Sequence, residues 1–390
     1  MLRVIKNWKF LIDIRKYNMK IPLCVPSIDK EEQKLVSEVL DSGWLTNGPM
    51  NAKFEEMFAN YIGVKHAISL NSCTSGLHLS IEANSIKGEV IVPSFSWVAS
   101  ANAIVTAGAK PVFADININD RNLNLKSVES LITDKTEAIM LVHYGGQTGD
   151  LDAFKSLCDK KGLLLIEDSA ETIGGKYYGK MAGSYGVGNY SFFPTKNITV
   201  GEGGIVTTND DKLARKIRTL TAHGLDSSTY DREFSKVNWY KNASIAGYNF
   251  RMSNLLAAIG VCQMKKIDTL NQQRVKHSEY LSKELSKVDW ISTPEVLEGR
   301  DHVYQTYSII IKKNKLRDIF VNYLNNNGIG ASVHFTPPIH KQSYYAENYN
   351  TIDLPNTDYV SSNIVSLPMY PSIKKNQLDY IIDKINQFQI

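Results

Sequence analysis

From Met19 to about residue 265 the chain alternates short apolar runs with stretches of helical period, and that rhythm restricts the fold more than any other feature. Six runs read as strands, at 67–70, 89–92, 111–114, 138–142, 163–166 and 204–207. Alternation of this kind implies βαβ units and a mainly parallel sheet. Residues 29–40 have helical spacing with an acidic first turn, and 51–61 repeat that spacing before Gly63. A long helical tract around 254–285 links this lobe to a smaller α/β lobe, with a strand at 305–311, a helix at 316–326 and a terminal helix near 377–388. The expected units are a poorly ordered leader at 1–18, a large domain at 19–265 and a small domain at 266–390.

Composition narrows the function classes. Hydrophobic residues make up 43% and charged residues 22%, ordinary for a soluble globular chain. The formal net charge is +4, which invites a nucleic-acid reading until it is located. Arg3, Lys6, Lys9, Arg15 and Lys16 against Asp13 account for all of it, so the body has no basic excess and no nucleic-acid partner is expected. The leader's apolar residues are interrupted by charges, which argues against a signal peptide and leaves an anionic membrane surface as an alternative to a simple extension before Met19. No apolar run is long enough to span a bilayer. Cys24, Cys73, Cys158 and Cys262 are scattered without metal-like spacing, which fits a reduced, cytoplasmic setting.

The chemistry concentrates in the loops that follow the strands, where a parallel sheet places its ligands. Lys196 stands between the apolar Ser191-Phe192-Phe193 and the glycine-rich Gly201-Glu202-Gly203-Gly204. An amine desolvated at a strand end can attack a carbonyl, as pyridoxal phosphate (PLP) enzymes require; the same local pattern also suits a surface lysine in a turn. Ile166-Glu167-Asp168 ends an apolar run in carboxylates, and Asp168 is suited either to pairing with a pyridinium nitrogen or to capping a helix. Asn71-Ser72-Cys73-Thr74-Ser75-Gly76 opens the helical tract 74–82, gathering backbone N–H groups and hydroxyls as an anion site or a plain N-cap. Trp97, in Pro93-Ser94-Phe95-Ser96-Trp97, can stack on a flat ring or pack in the core. The eight histidines have no metal-ligand spacing, so no metal is expected, and no GxGxxG opens a helix after a strand.

In this order the segments resemble the DegT/DnrJ/EryC1/StrS sugar aminotransferases, PLP-dependent enzymes of fold type I. The likeness covers nearly the whole chain after Met19 and includes Gly43-Trp44-Leu45-Thr46-Asn47-Gly48-Pro49, Gly247-Tyr248-Asn249-Phe250-Arg251-Met252 and Ser366-Leu367-Pro368-Met369-Tyr370-Pro371. The resemblance implies a seven-stranded-type, mainly parallel sheet and a homodimer with shared active sites. It implies that Lys196 attaches the cofactor and carries the proton, and that Asp168 holds the ring nitrogen while Trp97 stacks on the ring. Cys73, Thr74 and Ser191 would hold the phosphate, Asn249 would reach the partner's cofactor, and Glu171 would lie near the cofactor hydroxyl. Thr46, Arg251, His334 and His340 are the implied substrate contacts. Cys73 stands where the family more often has glycine or alanine.

The activity so implied is transfer of the amino group of L-glutamate to a keto-sugar. A nucleotide-linked 4-keto-6-deoxy sugar for lipopolysaccharide or another surface polysaccharide is the expected acceptor, with a free keto-acid sugar as the alternative. Sugar dehydratases of this family replace the lysine with histidine, so Lys196 speaks against that chemistry. Retention of Lys196, Asp168 and the anion cluster together speaks against a non-catalytic scaffold.

Overall fold

A computed structural model of the chain describes residues 19–225, 230, 239–313, 315–349 and 352–389. The leader expected at 1–18 lies outside the described residues. The fold opens with α1 (Lys30–Ser42) and α2 (Pro49–Ile62). Asp29 caps α1 by accepting from Glu31 N while the Glu32 side chain reaches back to Asp29 N, so two of the helix's orphan donors are satisfied at once. Then come β1 (His66–Leu70), α3 (Cys73–Glu82), β2 (Glu89–Pro93), α4 (Ala99–Thr106), β3 (Lys110–Ala114), α5 (Leu125–Leu131), β4 (Thr136–Val142), α6 (Leu151–Lys161) and β5 (Leu164–Asp168). A small hairpin of β6 (Lys176–Tyr177) and β7 (Lys180–Met181) precedes β8 (Val187–Ser191), β9 (Gly204–Thr208) and α7 (Asp211–Thr221).

Seven strands form one sheet in the order β1-β9-β8-β5-β4-β2-β3. The run from β8 to β3 is parallel, and β9 alone is antiparallel to its neighbours β1 and β8. The class is α/β with the fold type I sheet. Strand β8 does not stand out in the sequence, because Gly188 and Asn189 are poor strand formers. All five of its residues are buried, and ladders to β5 and β9 on either side hold them extended.

Alternation along the central strands assigns every side chain to a face. Val90 and Val92 of β2, Met140 of β4 and Ile166 of β5 pack with Leu77 and Ile81 of α3 and Ile104 of α4. Their neighbours Ile91, Ile139, Leu141 and Leu165 face Val128 of α5 and Phe154 of α6. Continuing that parity, Asp168 emerges on the α3 and α4 side and Glu167 on the α5 and α6 side.

The helical tract expected at 254–285 is broken at Lys265 and Lys266 into α8 (Asn254–Met264) and α9 (Ile267–Leu285). Ile267 and Leu270, at the start of α9, join the core around Phe54, Phe58 and Phe192, whereas Leu281 and Leu285 at its end join the small-lobe core. Beyond it lie β10 (Ile291–Ser292), β11 (Arg300–Asp301), β12 (Tyr307–Ile311), α10 (Arg317–Asn326), α11 (Ser343–Asn348), α12 (Pro355–Asn363), β13 (Ile364–Leu367) and α13 (Lys375–Gln387). Strands β10, β12 and β13 make an antiparallel sheet, and β11 crosses back to pair with β6. The segment ahead of α1, grouped with the large lobe in the sequence, sends a fully buried Ile21 into the small-lobe core beside Phe320 and Leu324. Ile21 also forms a parallel bridge with Ile329, whereas Ser27 farther along accepts from Gln263 Nε2, so this strip of chain touches both lobes.

Candidate active site

Strand ends at the carboxyl edge of the sheet surround a cavity of about 470 Å³ at the junction of the lobes. Of the residues singled out in the sequence, Cys73, Thr74, Trp97, Asp168, Glu171, Ser191, Lys196 and His334 line it. The small lobe adds Gln305, Thr306, Phe335, Leu367 and Met369, and the segment before α1 adds Leu23 and Cys24.

Asp168 is buried at the end of β5. Its Oδ2 accepts from Ser100 Oγ at 2.8 Å and its Oδ1 from Ala170 N at 3.2 Å, while Cys73 Sγ lies 4.0 Å from Oδ1. Burial pushes the Asp168 carboxyl above the usual range, with the two hydrogen bonds and the nearby Lys196 charge pulling it back. A carboxylate that has lost water in this way gains most from a cation placed directly against it. Burial, reinforced by Asp168, drives the Cys73 thiol well up, which removes it as a nucleophile. Ser100 escaped the sequence reading although it lies in the segment chosen for Trp97. Its signal was the spacing from Ser96, whose Oγ is 2.8 Å from Ser100 Oγ one helical turn away.

Glu167 points the other way, as parity requires, and its side chain is fully buried. It accepts from the backbone N–H groups of Gly183, Tyr185 and Gly186 and faces His143 Nε2 at 3.1 Å. Gly149 N donates to His143 Nδ1, so the ring proton is on Nε2 and is given to Glu167. Glu167 therefore anchors the loop that delivers β8, and only Asp168 of the two carboxylates reaches the cavity.

Lys196 sits in a turn just past β8, its N–H bonded to Phe193 O. Its Nζ is 3.2 Å from Glu171 Oε1, with both side chains 14% exposed. The small lobe holds this turn in place: Gln305 Nε2 donates to Thr195 O at 3.0 Å, and Asn197 Nδ2 donates to Asn271 Oδ1 and Val303 O. Nothing local in the sequence signals Gln305, since its partner lies 110 residues away.

At the opposite side of the cavity, Ser72 caps α3 by accepting from Ser75 N at 3.1 Å, and the first-turn residues Cys73 and Thr74 follow it. Gly204 of β9 backs directly onto this turn. A Cβ there would stand 2.4 Å from Cys73 N and 2.5 Å from Ser72 O, so only glycine lets the strand approach so closely. Trp97, 63% exposed, stands at the rim with its ring 6.2 Å from that of Phe335.

Four residues from the sequence reading are placed elsewhere. Asn249 Oδ1 accepts from Arg251 Nε and Nη2, and Arg251 Nη2 also approaches His223 at 3.2 Å; neither Asn249 nor Arg251 lines this chain's own cavity. Thr46 is exposed outside the lining. His340 is buried against Ser94, with Nδ1 2.6 Å from Ser94 Oγ and Nε2 facing Asp358.

The profile of the DegT/DnrJ/EryC1/StrS aminotransferases matches residues 26–386. The chain belongs to that family. Its members are PLP-dependent sugar aminotransferases, and this chain is one of them. An uncharacterized protein of Methanocaldococcus jannaschii is 38% identical over 374 residues, covering 94% of this chain and 96% of that one. The Bacillus subtilis spore coat polysaccharide biosynthesis protein SpsC is 36% identical over 381 residues, covering 95% and 98%. Among solved structures, Helicobacter pylori PseC, an aminotransferase involved in the biosynthesis of pseudoaminic acid, superposes with a TM-score of 0.88 at 29% identity, covering 95% of this chain and 99% of that one.

The cavity's donor set fits PLP. It offers one amine, a desolvated carboxylate for a cation, and a helix N-terminus with Ser191 nearby for a phosphate, backed by a strand whose Gly204 leaves the helix turn unobstructed. Among the described residues there is no His, Cys, Asp and Glu grouping able to hold a metal, and no helix is long and apolar enough to cross a membrane.

Proposed function

We propose that this aminotransferase moves the amino group of L-glutamate to a nucleotide-linked 4-keto-6-deoxy sugar, supplying an amino sugar for lipopolysaccharide or another surface polysaccharide. The work is done in the cytoplasm by a homodimer with shared sites. The observation that carries the reading is the convergence of Lys196, Asp168 and the first turn of α3 on one cavity. The B. subtilis relative in spore coat polysaccharide biosynthesis and the H. pylori relative in pseudoaminic acid biosynthesis support a sugar acceptor for a surface polymer.

In this reading PLP supplies an electron sink and carries the amino group between two half-reactions. Lys196 would hold the cofactor, and its Nζ, when free, would take up and return the proton of the donor's α-carbon. Asp168 holds the ring nitrogen protonated, and Ser100 and the Ala170 N–H keep its carboxylate aimed. Cys73 and Thr74 meet the phosphate through the first turn of α3, with Ser191 beside them. Trp97 covers one ring face from the rim and excludes water. Asn249, outside the lining of its own cavity, would reach the partner's phosphate. Thr46, Arg251 and His334 would contact the acceptor, whereas His340 supports Ser94 from behind.

The test charges the enzyme with L-glutamate in a single turnover, removes excess donor, and offers a panel of keto-sugars with and without a nucleotide. Recovery of the lysine-bound cofactor absorbance by a nucleotide-linked 4-keto-6-deoxy sugar is the expected result. Recovery with free keto-acid sugars alone would refute the acceptor assignment, and failure of glutamate to charge the enzyme would refute the donor.

A further inference from the structure

The contact between Lys196 and Glu171 is built rather than incidental. Glu171 Oε1 is 3.2 Å from Lys196 Nζ, while Oε2 accepts the Gly145 N–H at 2.9 Å. Gly145 itself is held at φ 65°, a left-handed turn that glycine adopts without strain, in the turn that follows β4. The carboxylate is thus pinned by backbone at one oxygen and left facing the amine with the other. Other ionisable groups face the pair from each surrounding element: Asp168 from β5, Cys73 from α3, Tyr144 from the turn after β4 and His334 from the small lobe. Burial pushes Cys73 and Tyr144 up and His334 down, so these three stay uncharged. Asp168 is engaged by Ser100 and Ala170. Among the described residues, Glu171 is the carboxylate within ion-pair distance of Lys196.

We propose that Glu171 is the positioning residue of Lys196: its carboxylate stabilises the ammonium formed when Lys196 takes the proton from the donor's α-carbon, and keeps that ammonium aimed for the proton's return. The C–H bond breaks, its proton goes to the lone pair of Nζ, and the electron pair stays with the substrate. Glu171 itself neither gains nor loses a proton. The pair is only partly exposed, so water compensates the new charge poorly and the carboxylate's contribution is correspondingly large. This inference rests on the reading of Lys196 as the proton carrier.

The test compares Glu171→Gln, which keeps the shape and loses the charge, with Glu171→Asp, which keeps the charge on a shorter stem. In the full chain stripped of cofactor, acylation of Lys196 by acetic anhydride is followed by peptide mass spectrometry against the exposed Lys34 as internal reference. Loss of the counter-ion should make Lys196 label about tenfold faster in the Gln variant, with the Asp variant between it and the wild type. In the loaded enzyme, single turnover with α-deuterated L-glutamate should slow by about tenfold in the Gln variant with a larger isotope effect. A purely structural Glu171 would move neither the labelling ratio nor the isotope effect, and equal labelling of Lys196 in the Gln variant and the wild type would overturn the proposal. Lys196→Ala is run alongside. Normal turnover by that variant defeats the underlying reading of Lys196, whereas an inactive Lys196→Ala with unchanged labelling in Glu171→Gln defeats this inference alone.

Discussion

Replacing Gly204 by alanine tests the anion site without touching any side chain that would meet the cofactor. The new Cβ would lie 2.4 Å from Cys73 N and from the Ser72 carbonyl carbon. Ordinary contact begins near 3.5 Å, so the gap must open by about 1 Å. Strand β9 cannot supply that movement, because Gly204 is paired with Leu70 on one side and Ser191 on the other inside the seven-stranded sheet. The first turn of α3 must therefore retreat, carrying the N–H groups of Cys73 and Thr74 away from the phosphate position proposed above. Overpacking of this kind costs about 1–3 kcal/mol. Set against the bound state, that is roughly a fivefold to 150-fold rise in the PLP dissociation constant. Titration of the cofactor-free variant, followed by the lysine-bound absorbance and with circular dichroism to establish an intact fold, measures it. A dissociation constant within about twofold of the wild type would refute the cradle, since it would mean the turn can yield without losing its ligand.

Asp168→Asn should slow amino transfer by several orders of magnitude yet raise the thermal midpoint of the cofactor-free protein. The folded carboxyl is pushed above its unfolded value, so keeping it ionised in the fold costs stability once the pH exceeds the usual carboxylate range. The advantage of Asn should be present at neutral pH and shrink as the pH falls towards that range; melts that differ equally at all pH values would contradict it. Glu167→Ala strands three N–H donors, one buried and two partly buried, together with the buried His143, at a cost of about 3 kcal/mol or more, read as a lower denaturant midpoint; a midpoint equal to wild type would show that the loop is held otherwise. Mixing Lys196→Ala chains with Asn249→Ala chains should restore activity, because the mixed dimer has one site with both lesions and one with neither. No recovery in demonstrated mixed dimers would remove Asn249 from the partner's site.

Much of the fold is legible because its signals are local. The apolar runs at 89–92 and 138–142 sit between helical periods whichever sheet receives them, and the run ending at Asp168 announces a strand end by itself. Strand β8 was hidden because its extension comes from β5 and β9 rather than from Gly188 and Asn189. The break at Lys265 and Lys266 was hidden for the converse reason: every residue from 254 to 285 tolerates helix, and the turn is imposed by α9 having to serve both cores.

Residues readable along the chain establish the chemistry available, namely a lysine, two adjacent carboxylates and a hydroxyl-rich turn, each next to a strand, in the order of one family. The sequence goes no further on the site. It named Asp168 through the resemblance, without a physical reason for preferring it to Glu167. Position in the sheet supplies that reason, since consecutive residues of β5 face opposite layers and α3 lies over one of them. Nor could the sequence say that Gln305, Asn271 and Val303 would clamp the turn bearing Lys196, or that Ile21 would cross to the far lobe. These are pairings between segments remote in the chain, and they acquire an energy only when the sheet and α9 have brought both partners to one place and excluded water between them.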